Sequence, residues 1–206
     1  MDWDQLEGEF WRIVEEAEEQ VEVLYGADLF TSEYGSGFPR ADGSPYASHK
    51  WNVNNFPKTE GLHSSLLRFI EDSIPGVIVP WLYVGMMFSS FCWHVEDHLF
   101  YSINYLHFGE PKRWYSVPYE CHEQFEAVFR DSLPEQFAAQ PDLLFQLVTM
   151  LSPRILQQHS VPTFSTVQVD RAWGLGLGAH ALGRTRTRHA PVWAGLGLMV
   201  PTHSTG

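Results

Sequence analysis

The chain of 206 residues has the length of one domain, or of one domain with a tail. Its formal net charge of −12 argues against a protein that wraps nucleic acid, because binding to phosphates requires clustered Lys and Arg side chains. Cys92 and Cys121 form no CxxC pair, which favours a reducing compartment. The acidic composition suits either solubility or binding to a basic partner.

The N-terminal part is predicted to contain a helix, a strand and a loop. Residues 3–19 carry apolar side chains at helical spacing between acidic ones, which predicts an amphipathic helix. This acidic start lacks the positively charged and then apolar order of a secretory signal, so we do not expect secretion. Residues 21–30, VEVLYGADLF, alternate as a strand does, and residues 34–46 have the Gly and Pro content of a loop.

Short β-type runs follow, with breaks at Gly85, Gly109 and Pro111. This spacing favours an antiparallel, barrel-like β-structure. The longest apolar run, residues 76–93, contains Pro80 and several polar side chains, so we interpret it as buried strands and not as a membrane span. The β-type runs are residues 77–88, 91–98, 100–108 and 112–117.

The pattern turns helical over residues 122–158, where apolar side chains recur at helical spacing. Pro134, Pro141 and Pro153 divide this stretch, which predicts two or three helices. Residues 160–169, SVPTFSTVQV, then predict a further strand.

The distribution of charge changes abruptly after Asp170. All 25 acidic residues lie at or before this position, whereas residues 171–206 contain four Arg, no Lys and seven of the 16 glycines. Glycine raises the entropic cost of ordering a segment, so we divide the chain into a domain over residues 1–170 and a Gly/Arg-rich tail over residues 171–206 that we expect to be disordered. The tail is either a genuine basic linker or the translation of an intron or shifted reading frame, and the abrupt change favours the second.

The segment FCWHVEDH, residues 91–98, holds the densest group of metal-ligating side chains. His94 and Glu96 are two residues apart, so on a strand both would face one side, whereas on a helix they would diverge. An imidazole and a carboxylate are two thirds of the 2-His-1-carboxylate triad that binds Fe(II), although so short a motif also occurs by chance. His98 would be a rival ligand on a straight strand, but a surface or supporting histidine before a turn is the better interpretation, and Asp97 should face the other way.

Residues 79–118, VPWLYVGMMFSSFCWHVEDHLFYSINYLHFGEPKRWYSVP, strongly resemble the JmjC catalytic domain, in particular that of the JARID subgroup of histone lysine demethylases. Residues 25–39 and 140–162 resemble the flanking segments of the same subgroup, so the resemblance covers about residues 3–168. It implies a mainly β fold with helices, a double-stranded β-helix of the jelly-roll or cupin-like type, incomplete at its C-terminal strands.

The resemblance also implies a cofactor site. His94 and Glu96 match the first two iron ligands of the family, and Lys112 matches the lysine that pairs with the distal carboxylate of 2-oxoglutarate. Phe91 and Trp114 match the aromatic walls of the pocket for this cosubstrate. A buried dianion needs a cationic partner, which makes the lysine assignment physically reasonable. Without the resemblance, Lys112 would be read as a surface lysine and the two aromatic residues as core.

Four further residues match polar or aromatic positions of the family. Tyr83 and Asn104 match contacts to 2-oxoglutarate, with Ser102 a weaker candidate. Tyr25 matches a catalytic-site tyrosine near the methylated lysine. Hydroxyl and amide groups of this kind supply the hydrogen bonds that a buried carboxylate needs in addition to its cation.

The implied reaction is Fe(II)- and 2-oxoglutarate-dependent demethylation of methyl-lysine. Oxygen converts 2-oxoglutarate to succinate and carbon dioxide, and the hydroxylated methyl group leaves as formaldehyde. The implied substrate is the methylated histone H3 tail, with lysine 4 suggested by the JARID-like flanks, and chromatin complexes in the nucleus are the implied setting. We expect neither direct nucleic-acid binding nor membrane association. The alternatives are a catalytically dead JmjC module that binds histone tails as a scaffold, and a related hydroxylase acting on a non-histone protein.

Members of the family end the barrel with a strand that carries a second histidine ligand, in a phrase such as PRAYHSGFN, which this sequence lacks. The tail offers His180, His189 and His203. His180 lies near the expected distance, but its context GLGAHALG has no apolar strand to hold it. Because loss of a ligand weakens iron binding, we predict that the chain as written has little or no activity.

Overall fold

The computed structural model describes residues 2–16, 20–40, 43–61, 64–170, 172–176 and 196–199. The chain divides into two compact units, a first unit of Met1–Val23 with Met86–Gly206 and a second unit of Leu24–Gly85. The described helices are α1 (Trp3–Glu16), α2 (Thr31–Tyr34), α3 (His122–Ser132), α4 (Pro134–Ala139) and α5 (Pro153–Gln158). The described strands are β1 (Tyr25–Phe30), β2 (Trp81–Gly85), β3 (Ser102–Leu106), β4 (Lys112–Ser116), β5 (Phe164–Gln168), β6 (Ala172–Gly176) and β7 (Leu196–Met199).

The first unit is built around one apolar core to which helices and β4 contribute. Trp93, Phe129 and Leu156 are almost completely buried in it. Burial of aromatic and aliphatic side chains on this scale is the main stabilising contribution to such a unit. The other buried members of the core are Leu6, Phe10, Trp11, Tyr115, Val117, Phe125, Val128, Phe137, Leu143, Leu151 and Val161.

Helix α1 is fastened to β4 by a polar network as well as by apolar packing. The Tyr115 hydroxyl donates a hydrogen bond to Glu7 and accepts one from Trp11 Nε1, at 3.3 Å. On the same strand Arg113 forms an ion pair with Glu7 at 3.3 Å. Burial, followed by the hydrogen bond to Glu7, raises the pKa of Tyr115, so the tyrosine remains a neutral donor. The N-terminal helix is therefore part of the structural support of β4.

The β4 strand is the centre of a three-stranded antiparallel sheet in the order β5–β4–β7. The neighbouring strand β3 pairs antiparallel with β6, with Asn104 opposite Gly174. Because β4 alternates its side chains between two faces, Lys112 and Trp114 share one face, and Arg113 and Tyr115 share the face towards α1.

The strands β6 and β7 correct one expectation. Both lie within residues 171–206, which we expected to be disordered, and that expectation is wrong for these two segments. Without β6 and β7, the edges of β3 and β4 to which these strands pair would present unpaired backbone N–H and C=O groups. Pairing with such an edge satisfies the backbone hydrogen bonds of even a glycine-rich segment. The other tail residues lie outside the described residues, and the domain boundary at residue 170 stays a prediction.

The second unit contains the antiparallel pair β1–β2, with an irregular register between Gly26 and Leu29. A long loop region follows β1 and is organised by Asn52, which is 2% exposed and donates hydrogen bonds to the carbonyls of Pro39 and Tyr46. The loop predicted around residues 34–46 is therefore confirmed in its described part, although Tyr34 ends the short helix α2.

The predicted elements are largely confirmed. The helix expected from residue 3 ends at Glu16, the run 122–158 contains three helices divided near its prolines, and β5 lies inside 160–169. The antiparallel β-structure with accompanying helices is confirmed as well.

Among the described residues, no helix combines the length and the apolar character needed to cross a bilayer. Both cysteines are free thiols.

The run 91–98 was predicted as a strand, and this prediction is wrong. Residues 91–96 belong to no sheet, and Asp97–Leu99 forms a 3-10 turn. Left-handed backbone at His98 (φ 53°) and Leu99 (φ 55°) turns the chain away from an extended course. The segment that carries the proposed metal pair is thus a loop outside the sheets.

Candidate cofactor site in the first unit

The loop of residues 91–96 is anchored through Trp93. This side chain is 1% exposed, its Nε1 donates a 2.8 Å hydrogen bond to the Leu151 carbonyl, and its ring contacts Phe125 edge-on at 5.3 Å. Its backbone N–H also donates to the Thr149 carbonyl at 3.4 Å. A buried tryptophan whose indole N–H is hydrogen-bonded fixes the loop without backbone hydrogen bonds to a neighbouring strand.

His94 and Glu96 are directed towards one point, as the two-residue spacing predicted. His94 Nε2 lies 4.0 Å from Glu96 Oε1. His94 Nδ1 lies 2.9 Å from the Cys92 carbonyl oxygen, and because a carbonyl can only accept, Nδ1 must carry the proton. Nε2 is then the ring nitrogen that lies towards Glu96. A ring N–H held by a backbone carbonyl is the usual support of a metal-ligating histidine.

The donor set suits Fe(II) but supplies only two ligands. Bonds from a first-row metal ion to imidazole nitrogen and carboxylate oxygen are about 2.0–2.2 Å long, so a single ion can reach both atoms across 4.0 Å. Within the described ranges, no group of three or more His, Cys, Asp or Glu side chains is arranged to hold a metal ion. His98 and Asp97 are both exposed in the turn, as expected for residues outside the ligand set.

Lys112 is a buried cation between two aromatic rings. Its side chain is 3% exposed, and Nζ lies 4.9 Å from the ring centroids of both Phe91 and Trp114. The two rings contact each other at 5.1 Å, and the Phe91 ring also contacts the His94 ring edge-on at 5.4 Å. The structure thus brings five of the predicted residues into one continuous cluster, with Phe91 between the ammonium and the imidazole.

The electrostatic setting of Lys112 is unusual for a lysine. Among the described residues, no carboxylate lies within ion-pair distance of Nζ, and burial alone lowers its pKa to about 8. Aromatic faces attract a cation, but they compensate only part of the lost hydration. An anion entering this cluster would gain a strong partner and would offset the cost of burying the ammonium.

Gln168 was not singled out from the sequence and is part of the same neighbourhood. Its side chain accepts a 2.8 Å hydrogen bond from Trp114 Nε1 and donates one of 3.3 Å to the Asn104 carbonyl. The sequence shows only a glutamine within a strand-like run, and its burial at the end of β5 is visible in the structure alone. Asn104 and Ser102 are half-buried on β3, and their predicted side-chain contacts to 2-oxoglutarate stay predictions.

Tyr83 and Tyr25 belong to the second unit, where their rings contact each other at 6.2 Å. The Tyr83 hydroxyl donates a 2.8 Å hydrogen bond to Asp28, which has left-handed backbone at φ 55°. Burial, and then the charge of Asp28, raise the pKa of Tyr25 to about 12. The roles predicted for these two tyrosines stay predictions, as does any role of His180, which lies outside the described residues with the other tail histidines.

Comparison with known proteins identifies relatives over most of the chain. Residues 81–170 match the family described as "JmjC domain, hydroxylase". The chain is 55% identical over 175 residues to "Lysine-specific demethylase JMJ17" of Arabidopsis thaliana and 50% identical over 172 residues to "Lysine-specific demethylase JMJ703" of Oryza sativa subsp. japonica. It is 52% identical over 171 residues to "Lysine-specific demethylase 5B" of Gallus gallus.

These alignments cover 79–80% of this chain but only 11–14% of the relatives, so the chain spans a small part of their length. The family match confirms the predicted cupin-like class, and the small antiparallel sheets correspond to part of a jelly-roll. The match ends at residue 170, where the acidic residues also end.

Proposed function

The chain belongs to the JmjC-domain family, and from this premise we propose that it carries the iron- and cosubstrate-binding part of an Fe(II)- and 2-oxoglutarate-dependent demethylase of methyl-lysine. The observation that supports this proposal best is the buried Lys112 ammonium beside the His94–Glu96 pair. A structural lysine would be exposed or would have an acidic partner. A lysine held between aromatic rings without such a partner is suited to receive a carboxylate from outside the chain.

Each side chain of the cluster has a separate task in this proposal. Lys112 binds the distal carboxylate of 2-oxoglutarate, while Phe91 and Trp114 exclude water from this contact and thereby strengthen it. His94 Nε2 and Glu96 hold the metal, and the Cys92 carbonyl keeps the imidazole in the ligating tautomer. When bound, Fe(II) and 2-oxoglutarate would supply the electrons that activate O2, the oxidant for hydroxylation of the methyl group.

The substrate and setting are also proposed. The relatives named lysine-specific demethylases support methyl-lysine as the substrate class. We propose a methylated histone H3 tail, with lysine 4 as the modified position, and a nuclear location among chromatin complexes. An acidic chain would favour a basic peptide of this kind electrostatically.

Binding of 2-oxoglutarate tests the proposal without requiring turnover. Calorimetric titration of the purified chain with 2-oxoglutarate should detect binding, strengthened by Mn²⁺ as a redox-stable substitute for Fe²⁺. Lys112→Met should weaken binding at least about thirtyfold, because removal of one partner of a buried charge pair costs about 2 kcal/mol or more. Lys50→Met, at an exposed lysine, is the matched control and should bind as the wild type does. Equal binding by Lys112→Met would contradict the proposal.

A catalytically dead, histone-binding module is the second candidate. It is favoured by the two-ligand metal pair of the described residues and by the absence of a PRAYHSGFN-like phrase from the sequence. Iron content after anaerobic reconstitution with Fe(II) separates the candidates, and formaldehyde released from a trimethylated histone H3 peptide measures whatever activity this chain retains. We expect substoichiometric iron and little formaldehyde from this chain, and robust turnover would refute that expectation.

A further inference from the structure

Gln168 is a buried polar residue whose hydrogen bonds join the two strands that carry predicted cosubstrate residues. It is 6% exposed, ends β5, and lies directly opposite Lys112 in the β4–β5 register. Burial of an amide costs free energy unless the amide is hydrogen-bonded, so hydrogen-bond partners must offset the cost of burying Gln168. These partners include the indole of Trp114 on β4 and the backbone carbonyl of Asn104 on β3.

The geometry couples Gln168 to Lys112 through Trp114. Trp114 Nε1 donates to Gln168 Oε1 at 2.8 Å, and the Trp114 ring lies 4.9 Å from Lys112 Nζ. An indole without this acceptor would be free to rotate about its side-chain torsions and would no longer present one fixed face to the ammonium. The second bond, from Gln168 Nε2 to Asn104, fixes the amide itself at 3.3 Å, so neither end of the side chain can swing independently.

We infer that Gln168 is a positioning residue for the cosubstrate, which fixes the Trp114 indole beside Lys112 and holds β3 against β4. This inference rests on the proposed function, because it assigns to Gln168 the preorganisation of the 2-oxoglutarate site. Residues that orient binding groups commonly change affinity or activity by tenfold to a hundredfold when they are replaced.

A double-mutant cycle tests the inference. Gln168→Met removes the hydrogen bonds to Trp114 and Asn104 at similar volume, and Trp114→Phe removes the indole N–H but keeps an aromatic face. The affinity for 2-oxoglutarate in the presence of Mn²⁺ should fall about tenfold in each single variant, and the double variant should bind no more weakly than the weaker single one. Val167→Thr, on the adjacent and 42% exposed position, is an isosteric control and should bind as the wild type does. Trp114→Phe tests the same hydrogen bond even where Gln168→Met lowers the yield of folded protein.

Indole hydrogen exchange provides a readout that is independent of binding. In the ¹⁵N-labelled protein, the Trp114 indole signal is assigned by its absence from Trp114→Phe. Gln168→Met should accelerate exchange at Trp114 and leave Trp93 protected, because the Trp93 indole donates to Leu151 in the core. A general loosening of the fold would accelerate exchange at both.

The outcomes separate the inference from the proposed function. Undiminished 2-oxoglutarate affinity in Gln168→Met, or fully additive losses in the cycle, would overturn the positioning role and leave the proposed function standing. Absence of 2-oxoglutarate binding by the wild-type chain would overturn both. Weaker binding with coupled losses and selective exchange at Trp114 would support the inference.

Discussion

The ammonium of Lys112 lies 4.9 Å from the centroid of the Phe91 ring, in a position that is 3% exposed. This relationship joins stability and the proposed function in one residue. In the absence of an anion, the charge is separated from water, and within the described part of the chain only aromatic faces compensate it. The native chain therefore retains an unfavourable group at the place where an anionic ligand would make it favourable.

Replacement of Lys112 by Met should stabilise the ligand-free protein. Burial lowers the pKa of this lysine from 10.5 to about 8, which corresponds to a cost of about 3 kcal/mol for the charged form at neutral pH. An apolar side chain of similar length removes that cost, and we expect the free energy of unfolding to rise by about 1–3 kcal/mol in urea denaturation. Lys50→Met, at an exposed position, should change it by less than about 0.5 kcal/mol. A less stable Lys112→Met protein would show that an anionic group of the chain already compensates the charge.

The affinity for 2-oxoglutarate should decrease as the pH rises through about 8. The ammonium is the form that binds a carboxylate, and above its pKa of about 8 the free protein carries mainly the neutral amine. Below this pH the dissociation constant should be nearly constant, and above it the constant should rise by up to about tenfold per pH unit. Titrations at pH 7, 8 and 9 measure this change, and Lys112→Met should lack the dependence. A constant affinity from pH 7 to 9 would contradict the lowered pKa of Lys112.

The same group should make the ligand-free protein more stable at alkaline pH. Between about pH 8 and 10.5 the unfolded chain holds the proton on Lys112 and the native chain does not, so the unfolded state binds more protons. The contribution of Lys112 to the free energy of unfolding therefore rises with pH across that window and is flat below it. The difference in unfolding free energy between the wild type and Lys112→Met isolates this contribution, and it should shrink from pH 8 to pH 10. A constant difference would refute the lowered pKa.

His94 and His98 provide a matched test of the metal pair. Both belong to the run 91–98, but His94 Nε2 faces Glu96 at 4.0 Å, whereas His98 is exposed in a turn beside Phe100. His94→Ala should abolish the binding of Mn²⁺, measured by electron paramagnetic resonance, because one ligand of two is removed. His98→Ala should leave binding unchanged. Equal losses in both variants would mean that His98 is a ligand in solution.

The two-residue spacing predicted the proximity of His94 and Glu96 for a reason that did not depend on a strand. A spacing of two places side chains on one side of any extended backbone, and Glu96 has extended backbone (φ −69°, ψ 148°) although it belongs to no sheet. What the spacing could not show was the anchor, because Trp93 is held by Leu151, a residue far away along the chain. The left-handed residues after Glu96 were also invisible, since nothing in the identities of His98 and Leu99 requires positive φ.

The lysine site could be predicted only by resemblance. Composition and spacing would have placed Lys112 on the surface, because lysine is rarely buried. Its burial is a tertiary effect of the sheet β5–β4–β7 and of the Phe91 and Trp114 rings. The strands β6 and β7 were missed for a related reason: glycine-rich segments have weak strand propensity, and backbone pairing with an open edge outweighs that preference.

Helix α1 should contribute to stability through one tyrosine. Tyr115 is 4% exposed, and its hydroxyl joins Glu7 and Trp11 of α1 to β4. Tyr115→Phe keeps the ring in the core but leaves the Trp11 N–H without its acceptor, so we expect a loss of about 1–3 kcal/mol in the free energy of unfolding. Tyr101→Phe, at a side chain that is 66% exposed, is the matched control and should be nearly neutral. Because β4 also carries Lys112, the affinity of Tyr115→Phe for 2-oxoglutarate reports whether the helix supports the site as well as the core. Unchanged stability in Tyr115→Phe would show that apolar packing alone holds α1 against the strand.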